Sequence, residues 1–143
     1  MKSLQVILFA ILCSVITGCK SDPAIPTNCD SVLMIDKNGY EKGPNDEFDI
    51  DTITLSGNCL ELTYFYGGGC GKTKMQLFDG EGFIDNTMNL PKRRLRFAFE
   101  DDDNCEAYIK TTKSFDLSPL QKGNSSPLTL QIDGWDALLQ YHF

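Results

Sequence analysis

Arg93-Arg94-Leu95-Arg96-Phe97-Ala98-Phe99 changes character at almost every step. Leu95, Phe97 and Phe99 fall on one side; Arg94, Arg96 and Ala98 fall on the other. Successive side chains of a β-strand point to opposite faces, so this run reads as a half-buried strand. Cys105-Glu106-Ala107-Tyr108-Ile109 repeats the alternation, with Cys105, Ala107 and Ile109 as its apolar set. Placing the two sets opposite one another puts Phe99 across from Cys105. Residues 100–104 then form a loop of acceptable hairpin length. A loop one residue shorter would set Phe99 against Glu106 and Leu95 against Lys110, burying charge. The expectation is a hairpin between residues 93–99 and 105–111.

The same period extends outward. Residues 31–35, 51–55, 59–66, 72–78, 128–132 and 138–143 alternate in the same way. Turn residues separate them at Asp36-Lys37-Asn38-Gly39, Ser56-Gly57-Asn58, Asp79-Gly80-Glu81-Gly82 and Asp133-Gly134. No stretch of ten residues or more shows helical period. Short strands at this spacing imply an all-β fold, a single antiparallel β-sandwich of about eight strands. Phe115-Asp116-Leu117-Ser118-Pro119-Leu120 cannot be a central strand because of Pro119, and reads as a crossover whose leucines plug the gap between two sheets.

The chain has 143 residues, 13 Lys+Arg, 20 Asp+Glu and a net charge of −7. Its length suits one domain with a real core. The acidic balance excludes a nucleic-acid footprint. The only histidine, His142, is the penultimate residue, so no site can draw on two.

Lys2 precedes an apolar run from Leu4 to Ile16, too short to span a bilayer, which takes ~20 residues. This is the layout of a secretory signal. Ile16-Thr17-Gly18-Cys19 resembles the lipobox of bacterial lipoproteins. The resemblance implies cleavage before Cys19, diacylglycerol on its thiol and an acyl chain such as palmitate on its amine. Two or more acyl chains anchor stably where one does not. The organisation expected is a signal over residues 1–18, a lipidated Cys19 with a Pro-containing tether through residue 27, and a β-sandwich over 28–143. The eight residues 20–27 would reach ~25 Å as an extended tether. Removing the signal takes Lys2 alone among the charged residues and leaves the chain more acidic still.

Cysteine arithmetic agrees with lipidation. Cys13 leaves with the signal, and lipidated Cys19 leaves Cys29, Cys59, Cys70 and Cys105. These meet oxidising conditions outside the cytoplasm. Four cysteines allow three pairings. Cys70–Cys105 with Cys29–Cys59 is favoured, because Cys70 and Cys105 each open a strand at a sheet end. No C-x-x-C or C-x-x-H pair supports zinc.

Several motifs tempt. Gly67-Gly68-Gly69-Cys70-Gly71-Lys72-Thr73 imitates a phosphate-binding loop, but Tyr66 stands where the first glycine belongs and a strand follows instead of a helix. No nucleotide is expected; a wide turn placing Cys70 is the better reading. Glu100, Asp101, Asp102 and Asp103, followed by Asn104, offer oxygens for calcium without the EF-hand order. A solvated acidic turn is the plainer reading, and the acidic residues between Asp46 and Asp51 read likewise. Lys92-Arg93-Arg94-Leu95-Arg96 suggests ion pairing across a sheet face. Tyr64, Tyr66, Trp135 and Tyr141 read as core aromatics with hydrogen-bonded tips. Neither G-x-S-x-G nor H-E-x-x-H occurs.

The lipobox, Leu60-Glu61-Leu62-Thr63-Tyr64-Phe65-Tyr66-Gly67-Gly68-Gly69-Cys70, Cys105-Glu106-Ala107-Tyr108-Ile109 and the segment from Phe115 to Leu120 together resemble small lipoproteins of the Bacteroidetes kind. The resemblance implies an envelope address, with the outer membrane as the expected site, and brings no activity. Its members follow Gly-Gly-Cys closely with a histidine; here Lys72-Thr73-Lys74 stands instead, which removes the ligand for any metal role. The expectation is a lipid-anchored, non-enzymatic binding module with an envelope protein partner. The alternatives are a calcium-stabilised domain and a carboxylate-dependent hydrolase of glycans or peptides.

Overall fold

A computed structural model describes residues 28–81, 83–85, 90–102 and 104–143. The signal, Cys19 and the tether lie outside these residues, as do Gly82 and Asp103. The strands are β1 (Ser31–Val32), β2 (Met34–Ile35), β3 (Asp49–Ser56), β4 (Cys59–Gly68), β5 (Lys72–Asp79), β6 (Phe83–Asp85), β7 (Leu90–Asp102), β8 (Ala107–Asp116), β9 (Leu128–Ile132) and β10 (Leu139–Tyr141). Among the described residues, one short helix, α1 (Lys37–Lys42), and one 3-10 turn (Ser118–Gln121) interrupt them.

Two sheets pack face to face, as the all-β sandwich expectation requires. One sheet has the order β1-β8-β4-β3, and the other β10-β9-β7-β5-β2, with β6 beside β7. The long pairs are antiparallel: β3 with β4, β4 with β8, and β5 with β7. Three pairs are parallel, β1 with β8, β2 with β5 and β7 with β9. Each parallel pair needs a long connection, which local alternation cannot reveal.

The expected hairpin does not form. β7 pairs with β5 and β9, whereas β8 pairs with β4, so the two strands belong to different sheets. Across the sandwich β7 meets the far end of β8, whereas Ala107 of the expected apolar set is exposed. The Phe97 ring of β7 stands 5.6 Å from that of Phe115 on β8. Period two says which face is buried; it does not say whether the facing strand is a neighbour in one sheet or lies in the opposite sheet. The inward side of β7 is the expected one: Leu95, Phe97 and Phe99 are all buried.

Residues 31–35 also differ from expectation. β1 pairs with one sheet and β2 with the other, and Leu33 between them is buried, its N–H donating to the Asp116 carbonyl at 3.0 Å. One extended segment therefore closes one side of the sandwich. Asp36 to Gly39 is not a simple turn: Asp36 caps α1, accepting from the Asn38 N–H at 2.9 Å. Phe115 and Asp116 end β8, so the crossover begins only at Leu117; there Leu117 and Leu120 are fully buried, as its leucines should be. Leu60, Leu62, Leu77, Leu95, Leu128 and Leu130 complete the centre of the core. Burying each such side chain contributes roughly 1.5–3 kcal/mol.

Both favoured disulfides are present. Cys29–Cys59 has a Cα–Cα distance of 5.7 Å, and Cys70–Cys105 one of 6.0 Å. Cys70 lies between β4 and β5, and Cys105 between β7 and β8. Both connections pass from one sheet to the other. The second disulfide therefore ties two sheet-to-sheet corners together, and the first ties the start of the domain to the opposite end of β4.

Candidate functional site

The site grows from the segment between α1 and β3. Arg96, on the outer face of its sheet, donates to the carbonyls of Tyr40, Gly43 and Pro44 at 2.5, 2.9 and 2.7 Å. These contacts hold the end of α1 and start the next residues along β7. Asn45 bridges to Phe99, the Asp46 N–H donates to the Phe99 carbonyl at 3.0 Å, and the Asp101 N–H donates to the Asp46 carboxylate at 2.7 Å. Phe48 then turns in between the sheets. Its ring meets Tyr64 edge-on at 5.8 Å and Phe99 at 5.6 Å. Asp49 opens β3 opposite Phe65.

This path leaves a cleft of about 450 Å³ at the Gly67 end of β4. Its carboxylates are Asp46, Glu47, Asp49 and Asp101, and its aromatic walls are Phe48, Phe65, Tyr66 and Tyr108. Tyr108 and Phe65 are cross-strand diagonal neighbours on the outer face of the sheet, and their rings stack flat, 4.8 Å apart and 3° from parallel. The Tyr108 hydroxyl donates to the Asp49 carboxylate at 3.2 Å. Its pKa is raised above the ordinary value, first by desolvation and then by that carboxylate. Tyr108 is 66% exposed, the highest value among the exposed large apolar or aromatic side chains of the described residues. Lys110 stands over Phe65 at 5.1 Å and pairs with Asp51 at 2.9 Å, outside the lining.

A second cleft, about 490 Å³, lies beyond Phe48 and includes Asn45, Ile50, Arg96 and Asp133. Its charges are engaged: Arg96 on the carbonyls above, Asp133 with Arg94 at 3.3 Å and with the Tyr40 hydroxyl at 2.6 Å. Of the basic run, Arg93 and Arg94 form ion pairs, with partners other than the acidic segment, while Arg96 holds backbone carbonyls. Arg93 pairs with the buried carboxylate of Asp79. Of the glycine-rich run, Gly67 and Gly68 close β4, and residues 69–71 turn into the strand β5.

The sequence-based metal set is not assembled as a loop. β7 continues through Asp102, and Glu100, Asp101 and Asp102 stand opposite Lys74, Thr73 and Lys72. Alternation sends Asp101 to one face and Glu100 and Asp102 to the other. Asp103 lies outside the described residues. Among the described residues no three of His, Cys, Asp and Glu form a group that could hold a metal ion. Asp101 instead reaches the cleft, together with Asp46, Glu47 and Asp49 from the stretch read as a bland acidic turn. The missed signal was Phe48, an aromatic between acidic residues, which the fold draws inward while its neighbours stay outside. Tyr108 stands on the outward side of the alternation set by Cys105, Ala107 and Ile109, and nothing in that pattern marks it as a contact residue. Tyr64 and Tyr141 are core residues as expected; the Tyr141 hydroxyl donates to Asn58 at 3.0 Å and accepts from Gln121 at 2.8 Å.

No protein-family model matches the chain, and no curated protein does. Solved structures do. A protein of unknown function, DUF1344, from Bacteroides vulgatus is 11% identical, with a TM-score of 0.53, over 79% of this chain and 56% of that one. A NigD-like immunity protein from Bacteroides caccae is 12% identical, with a TM-score of 0.53, over 77% of this chain and 56% of that one. The likeness is one of fold. This chain spans little more than half the length of either structure.

Proposed function

We propose that the chain is a non-enzymatic binding module, anchored to the cell envelope through lipidated Cys19, and that the acidic, aromatic cleft is its contact surface. The observation that carries this reading is Tyr108, largely exposed yet stacked on Phe65 and hydrogen-bonded to Asp49 at the cleft rim. An aromatic side chain pre-ordered in water presents contact area with little entropy left to lose, the property of interface anchors. The fold shared with an immunity protein is compatible with a module that works by contact.

A photo-reactive residue placed at position 108 of the membrane-anchored protein in intact cells tests the contact. The expected result is one dominant adduct, absent when the same residue replaces exposed Glu61 on the outer face of β4. Equal adduct patterns at the two positions would refute the cleft as the contact surface. The anchor is tested separately: Cys19→Ser should move the protein from the membrane fraction to the soluble one.

A further inference from the structure

We infer that the cleft takes an extended, Arg- or Lys-bearing segment of a protein partner, approaching from the side away from the membrane anchor. The inference rests on the binding reading above and adds the chemistry and direction of the partner.

Direction follows from β4. Cys59 opens this strand and is bonded to Cys29, two residues after the tether. Tyr66 and Gly67, at its far end, line the cleft. Seven to eight strand residues separate the two ends, about 25 Å at 3.3 Å per residue. The described chain therefore begins at one pole and the cleft opens at the other.

Chemistry follows from the lining. Four carboxylates surround the cleft, and no lysine or arginine does. Asp46 is held by the Asp101 N–H and Asp49 by the Tyr108 hydroxyl, so both are fixed in place before any ligand arrives. Glu47 is exposed, and among the described residues its carboxylate has no hydrogen-bond or ion-pair partner. Lys110 already stands over Phe65, so the ring face left to a ligand is that of Tyr108, and a guanidinium or ammonium group is attracted by this face and by the carboxylates at once. A neutral sugar would use the rings and leave the charges unbalanced. A bare metal ion would use the charges and leave the rings idle. The volume also fits a segment better than an ion: about 450 Å³, with open space above Gly67, where even an added Cβ would meet nothing within 4 Å. Charge complementarity of this kind speeds encounter and selects the partner.

The test titrates the purified chain, both disulfides formed, with tetra-arginine amide and follows backbone amide resonances. Saturable shifts confined to Glu47, Gly67, Asp101 and Tyr108 and their neighbours are expected. Affinity should fall about tenfold with Tyr108→Ala, from the lost cation–π platform, and become undetectable with Glu47→Lys. Both positions are exposed, so both variants should melt with the parent; should Tyr108→Ala not, Glu47→Lys decides alone. Shifts spread evenly over the acidic surface, or unchanged by Glu47→Lys, would overturn the inference. So would calcium chloride or maltotriose giving the same shifts and displacing the peptide. If position 108 cross-links one partner in cells and tetra-arginine still gives no shift, the cationic class falls and the binding module stands. If neither is seen, both fall.

Discussion

Gly39 shows how one residue can carry two meanings. In sequence it completes Asp36-Lys37-Asn38-Gly39 and looks like turn punctuation. In the fold it lies inside α1 and is buried, and a Cβ added there would land within the Phe78 ring. Its lack of a side chain lets the helix rest directly on the sheet. Gly39→Ala should therefore destabilise by about 1–3 kcal/mol, the range for overpacking, despite the higher helix propensity of alanine. Urea denaturation measures this, and an unchanged midpoint would show that Phe78 yields freely. Asp30 is the polar counterpart. It accepts from both the N–H and the hydroxyl of Ser114 at 2.8 Å, and these bonds hold its pKa below 3.8.

At the scale of elements, α1 is too short to persist alone; isolated helices below ~12 residues are marginal in water. Arg96 on its terminal carbonyls and Tyr40 on Asp133 fix it to the sheet. The Tyr40 phenol is pushed up to about 12, first by burial and then by the Asp133 carboxylate. Tyr64 is likewise pushed up to about 12, first by burial and then by Tyr66. Both folded values exceed the ordinary 10.0 of the unfolded chain. Their contribution to stability is therefore complete below pH 10 and is lost as pH rises from there towards 12. Ultraviolet titration of the phenolates should show Tyr40 and Tyr64 ionising late. Asp133→Asn should bring Tyr40 down part of the way and leave Tyr64 where it was; equal movement of both would contradict the assignment. The strand edges follow similar local logic. The outer edge of β3 pairs with no described strand, and Asp49, Asp51 and a bulge between Ile50 and Thr52 discourage stray pairing there.

At the scale of the whole molecule, the two disulfides hold opposite poles. Their loops of 30 and 35 residues correspond to roughly 3–4 kcal/mol each in the chain-entropy model. Replacing Cys29 and Cys59 with alanine, or Cys70 and Cys105, should cost about that much in a denaturant titration. The two removals should differ in place. Loss of Cys70–Cys105 frees the corners beside Gly67 and Tyr108, so amide exchange should quicken around the cleft and stay slow near Leu117 and Leu120. Loss of Cys29–Cys59 should do the reverse at the tether pole. Uniform acceleration in both variants would mean that the sandwich opens as one unit and the crosslinks have no local role.

The sequence by itself determined the face each strand buries and the class of fold. Alternation such as Leu95, Phe97 and Phe99 follows from backbone geometry alone, and burial of an apolar face needs no knowledge of the partner. It also made the cysteine pairing legible, because Cys70 and Cys105 flank strands whose ends must meet. Tertiary structure decided which strands are neighbours. Phe97 packs on Phe115 across the sandwich, a contact that satisfies the same period as a hairpin would. It alone made α1, whose six residues gain their stability from Phe78 and Arg96. It also made the cleft, drawing Asp46, Glu47 and Asp49 beside Asp101 and Tyr108 from distant positions. A surface of that kind depends on where sheets end and cross. Those are long-range choices, set by packing the whole core, and no local stretch of the chain encodes them.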